Sequence, residues 1–132
     1  MKLLFITFLS FVTFFGFSQK KTVTENSFKI IQYKPTKKIG SQLRLKRVFD
    51  DSRCPENTQC IWAGEVSAEI LIYKNKKLIE EKIIVFNSQS YEQNLKWFSS
   101  FYSIKVKSVE VQPNLKEGIL VEPNDYFLKV VY

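Results

Sequence analysis

The 132-residue chain has no histidine, and it has only two cysteines, one methionine, four glycines and four prolines. The missing imidazole excludes Ser-His-Asp and Cys-His catalysis and every histidine metal site. Two cysteines alone do not complete a tetrahedral zinc site; carboxylates would have to supply the other ligands. Acidic clustering is sparse too. Asp50, Asp51 and Glu56 lie near the cysteines, whereas calcium asks for about six to eight oxygen ligands. Glu80 and Glu81 are adjacent, so in a strand they face opposite sides and form no acid/base pair. No Gly-x-Ser-x-Gly string marks a nucleophile. The expectation is a protein without metal, cofactor or catalytic residues; the rival class is an enzyme that works without histidine and without metal.

Long apolar runs are also scarce, and the one present is N-terminal. Lys2 is the only charge before Lys20, and residues 3–17 are apolar except for Thr7, Ser10, Thr13 and Gly16. That is short of the roughly 20 apolar residues a membrane-spanning helix needs. Gly16 and Ser18 supply the small-residue pattern of a cleavage site. A signal peptide is therefore expected over residues 1–18, followed by a flexible N-terminal arm over 19–27 and a single β-domain over 28–132. No cysteine follows the apolar run to carry a lipid, and no later run spans a membrane. The cleaved chain is expected to be exported, periplasmic or secreted.

Removal of residues 1–18 takes away Lys2 and lowers the net charge from +7 to +6. The lysines are scattered, and arginine is confined to Arg44, Arg47 and Arg53. Nucleic-acid faces cluster arginine among stacking aromatics. Scattered lysine reads instead as a solvated surface, so nucleic acid is not an expected partner; the sequence names no partner, and export leaves an envelope or extracellular protein as the class to look for.

What the chain does have is alternation. Residues 28–33 read as a short strand. Leu43, Leu45 and Val48 continue an apolar pattern that slips by one residue at Lys46-Arg47, the signature of a β-bulge. Val66, Ala68, Ile70 and Ile72 share one face of a strand over 64–73. A polar turn at 74–77 leads to a return strand over 78–86, which makes a hairpin. Residues 87–100 read as a long loop or a short helical turn, with the loop preferred. A strand is expected over 102–111, with Tyr102, Ile104 and Val106 inward and a second slip at Lys107-Ser108. A loop with two prolines follows, then a final strand over 126–132. About six strands without sustained helical spacing predict an all-β fold, a small antiparallel β-sandwich or barrel with one disulfide loop.

The most specific string is Asp51-Ser52-Arg53-Cys54-Pro55, four residues, then Cys60-Ile61-Trp62-Ala63-Gly64. In an exported chain, such a cysteine pair closes a disulfide. A bridge between Cys54 and Cys60 is worth about 2–2.5 kcal/mol on the chain-entropy model. Pro55 pre-sets φ inside the loop, Asn57 favours a turn, and Gly64 lets the chain bend into the next strand. Trp62 suits a lid over one end of the core. Arg53 is expected to pair with a nearby carboxylate, Asp51 above all.

The string resembles the motif of an uncharacterised family of small exported bacterial β-proteins. The resemblance extends to Tyr102-Ser103-Ile104, Pro113 and Asp125-Tyr126, and so covers the chain from about Leu43 to its end. It departs from the family at Asn114, where an aromatic residue often follows the proline. The resemblance implies the β-fold and the disulfide and carries no activity with it.

Three roles stay open for the loop. It is a structural staple, a rigid binding epitope of the kind protease inhibitors and receptor ligands use, or a redox pair. The last lacks the Cys-x-x-Cys spacing of redox motifs. Asp51, Arg53, Pro55, Trp62 and Gly64 are the candidate site residues around Cys54 and Cys60. The lead expectation is a non-catalytic module that binds or builds.

Overall fold

The computed structural model describes residues 24–32 and 40–132. The expected signal peptide, the first part of the expected arm, Tyr33 and most of the 35–40 turn lie outside the described residues. The fold is all-β: among the described residues, six strands form two three-stranded antiparallel sheets, with one short α-helix and a 3-10 turn at Pro123–Asp125. Strands β2 (Ser41–Phe49), β3 (Val66–Lys74) and β4 (Lys77–Phe86) form one sheet in that order. The other has the order β1-β6-β5, from β1 (Ser27–Ile30), β5 (Ser108–Gln112) and β6 (Phe127–Val131). Helix α1 (Tyr91–Tyr102) connects β4 to β5.

Alternation places one set of side chains inside. Leu45, Val66, Ala68 and Ile70 from one sheet, Val109, Val111, Leu128 and Val130 from the other, and Phe98 of α1 share a single core. The sheets are also linked through their backbones: Leu45 N–H donates to Ile31 C=O at 3.3 Å.

The slip at Lys46-Arg47 is a bulge. The β2–β3 register jumps between Leu45 and Arg47. The extra residue aims two cations at one carboxylate. Lys46 Nζ lies 3.1 Å from Glu69 Oε1, and Arg47 Nε lies 2.6 Å from Glu69 Oε2. These hydrogen bonds, Arg47's first, hold the Glu69 carboxyl below its ordinary pKa against the opposing effect of burial. The β3–β4 hairpin closes through Asn75 and Lys76, both at positive φ (50° and 68°). Two positive-φ residues in a two-residue loop fit the twist of a hairpin, and here Asn-Lys takes the place of the usual Asn-Gly.

Two expectations need correction. Residues 91–102 form α1, not a loop, and Tyr102 closes that helix instead of opening a strand. Leu95, Phe98 and Tyr102 fall at helical spacing and this stripe turns inward, while Tyr91 at the start of the helix stays exposed. Phe98 is fully buried, Trp97 meets it edge-on with centroids 4.8 Å apart, and Tyr102 packs on Phe28 at 4.9 Å. Burial of this aromatic face outweighs the weak propensity of the intervening Ser and Asn. The slip at Lys107-Ser108 falls at the entry to β5. Lys107 N–H donates to Val131 C=O at 2.7 Å, while Ser108 is also paired with Val131.

Candidate functional site

Beyond β2 and before β3 the two chains stay paired. Ser52 N–H donates to Glu65 C=O at 2.8 Å and Cys54 N–H to Ala63 C=O at 3.1 Å. The β2–β3 arm thus extends outward and ends in the Cys54–Cys60 disulfide loop. Pro55 begins a turn in which Thr58 N–H donates back to Pro55 C=O at 3.3 Å, with Asn57 at φ 60°.

Gly64 sits where the two chains of this arm come closest. Its φ is +74°, and a Cβ there would stand 1.9 Å from Ser52 O. Only glycine fits both the left-handed conformation and the contact.

Arg53 and Asp51 do pair, and the pair reaches further than its neighbours in sequence. Arg53 Nε donates to Asp51 Oδ1 at 2.8 Å and Nη2 donates to Asp51 Oδ2 at 2.7 Å. The same guanidinium donates to Val111 C=O, at the end of β5, and to Pro113 C=O at 3.1 Å. Tyr126 O–H donates to Asp51 Oδ2 at 3.0 Å. One planar fork therefore fastens the cysteine arm to the far sheet. Burial opposes the Asp51 charge, but the hydrogen bonds and charge of Arg53, with Tyr126 adding to them, hold its carboxyl below the ordinary range. Burial, then the Asp51 carboxylate, pushes the Tyr126 phenol up.

A prediction on pH follows. Asp51 and Glu69 both have folded-state pKa values below their unfolded ones. Their contribution is fully present above the unfolded values, about 3.9 and 4.3, and is lost as pH falls through the lower folded values. The melting temperature should change little between neutral pH and about 5 and fall steeply below about 4. The fall should be shallower in Asp51→Asn, measured as melting against pH.

Trp62 is not a lid on the core. It is 71% exposed and its neighbour Ile61 is fully exposed. The reason is geometric: both residues lie between Cys60 and Gly64, on the outer end of the arm, beyond reach of the core. Glu56 ties the disulfide loop to a second loop. Its N–H donates to Leu115 C=O at 2.8 Å, and its Oε1 accepts from Asn114 Nδ2 at 2.7 Å. Glu56 also makes a parallel bridge with Lys116, which in turn bridges Ile119. The disulfide loop and the 114–120 loop are thus joined into one tip. The second loop carries its own exposed apolar pair, Ile119 at 62% and Leu120 at 86%. The sequence marks this stretch as a loop but not its pairing with the cysteine loop; its one local signal is three adjacent apolar residues, Ile119, Leu120 and Val121, in a polar stretch.

Behind the tip lies a cleft of about 520 Å³ between β5, the end of β4 and the start of α1. Val66, Phe86 and Leu95 supply its apolar wall, and Arg53, Asn87 and Asn94 are among its polar lining. These polar groups are engaged within the protein. Asn94 Nδ2 donates to Val85 C=O at 2.8 Å, and Asn87 Nδ2 donates to Glu65 Oε2 at 3.1 Å.

Among the described residues no group of three or more His, Cys, Asp or Glu side chains is placed to hold a metal ion. Among the same residues no helix is long and apolar enough to cross a membrane. Comparison of the chain with protein-family models, curated proteins and solved structures finds no match.

Proposed function

We propose that the protein is an exported, non-catalytic binding module that meets a protein of the envelope or the extracellular medium through its paired-loop tip. The observation that carries this is the exposure of Trp62, 71%, on a segment held between a disulfide and a strand pair. Tryptophan is enriched among the residues that dominate binding energy. A large ring left in water on a constrained loop loses little conformational entropy when it is covered. Ile61, Ile119 and Leu120 are further exposed apolar residues on the two joined loops. An inhibitor that inserts the Cys54–Cys60 loop is one form of the same proposal. The disulfide is compatible with an oxidising compartment, and the likeness to small exported β-proteins points the same way.

The test separates fold from contact. Trp62→Ala should leave the melting temperature nearly unchanged, within about 0.5 kcal/mol of stability. It should weaken partner binding by about 2 kcal/mol or more. A photo-crosslinking amino acid placed at position 62 should capture a discrete partner from the native envelope and medium, and the same group at Lys105 should not. Equal capture from both positions, or a large loss of stability in Trp62→Ala, would reject the proposal.

A further inference from the structure

We propose that the outer edge of β5 binds a short extended segment of another polypeptide, which adds to the β1-β6-β5 sheet as a strand. The hydrogen-bond alternation of that sheet shows which backbone groups face the edge. Tyr132 N–H donates to Asn26 C=O at 2.9 Å, so the even-numbered residues of β6 bond to β1. The odd-numbered residues of β6 therefore bond to β5, where they face Ser108, Glu110 and Gln112. Val109 and Val111 are left with their backbone groups turned outward. Arg53 bears this out independently, since it reaches Val111 C=O from that side. Among the described residues β5 pairs only with β6. No described residue takes the Val109 N–H, the Val109 C=O or the Val111 N–H.

These groups open onto the cleft of about 520 Å³, a volume within the range of small-ligand sites. Two protein groups close the edge at its ends. Tyr91 O–H donates to Lys107 C=O at 3.3 Å, and Arg53 caps Val111 C=O. What remains is a donor, an acceptor and a second donor, spaced along a strand. A peptide main chain supplies the complementary acceptor, donor and acceptor at that spacing, as in strand addition to a sheet edge. The wall opposite is Val66, Phe86 and Leu95, so the residue that enters the cleft should be apolar. The site is separate from the Trp62 tip and does not depend on that surface being used.

The probe is a random heptapeptide library displayed on phage and selected against the full disulfide-bonded chain, with the best binder then synthesised. Its binding should slow hydrogen exchange at the Val109 and Val111 amides and leave Ser108 and Glu110, already in the ladder, unchanged. Methylation of the peptide's own backbone nitrogens, one at a time, should weaken binding by about tenfold or more at the position facing Val109 C=O. Trp62→Ala should bind the peptide as the parent does, so failure of the tip proposal and failure of this one are distinguishable. The inference is overturned if no methylated position weakens binding or if the two valine amides stay unprotected. Protection that grows with protein concentration alone would also overturn it, because a second copy would then be the occupant.

Discussion

Gly64→Ala should unfold the protein or bring it close to unfolding. A methyl at this position would stand 1.9 Å from Ser52 O, 2.6 Å from Ser52 C and 2.9 Å from Arg53 Cα. All three are backbone atoms, so no side chain can swing away. The alanine must also hold φ near +74°, which costs a non-glycine residue about 1–2 kcal/mol. Forced displacement of packed atoms adds about 1–3 kcal/mol. The combined loss of about 2–5 kcal/mol compares with a total stability of about 5–15 kcal/mol for a typical domain. Chemical denaturation should show a midpoint far below that of the parent. Gly118→Ala is the control, since a Cβ there meets nothing within 4 Å. Its own positive φ should cost only the strain.

Arg53→Ala should be the next most damaging change. The Arg53 and Asp51 side chains keep only 19% and 10% of their exposure. Loss of one partner leaves the other charge buried and uncompensated, at about 3–5 kcal/mol for a well-buried pair. The remaining exposure of Arg53 puts the expected cost at the lower end, about 3 kcal/mol. The substitution also strips hydrogen bonds from the Val111 and Pro113 carbonyls, which lie on the opposite sheet. Arg53→Lys should recover little, because an ammonium cannot present the planar fork that spans Asp51 and both carbonyls. Asp51→Asn combined with Arg53→Met should be less destabilising than the sum of the two single changes, because no lone charge is left behind. Urea denaturation of the four proteins measures this coupling. A purely additive result would mean that the pair is wetter than its geometry implies.

The relative ranking of Arg53 and Trp62 shows where sequence reasoning stopped. Asp51 lies two residues from Arg53, and the pairing was legible because both charges are local. The partners Val111, Pro113 and Tyr126 lie about sixty or more residues away in sequence, and no local pattern announces them. The size of the Trp62 ring points to the core. The structure places it at the end of a strand pair that runs past the core, so its ring has nothing to cover. Strands β2 and β3 were legible because alternation repeats over several residues, shifted by one at the β2 bulge, and β4 was legible as the return of a hairpin after a polar turn. Helix α1 was not, because its apolar residues are separated by Ser, Asn and Gln and its last residue, Tyr102, also fits the start of an alternating stretch. The cleft behind β5 could not be read at all. It is built by segments from four parts of the chain, and its sharpest feature is backbone with no side-chain signature.

The claim on which the account turns is that Trp62 faces water on a folded tip. The chain has two tryptophans, so Trp97→Phe leaves Trp62 as the only indole while keeping an aromatic ring against Phe98. In this variant, with cooperative melting showing that it is folded, the native fluorescence should sit at the red, water-exposed end of the tryptophan range. Acrylamide should quench it nearly as well before unfolding as after. A blue-shifted native emission, shielded from acrylamide and released on unfolding, would contradict the account and return Trp62 to the core.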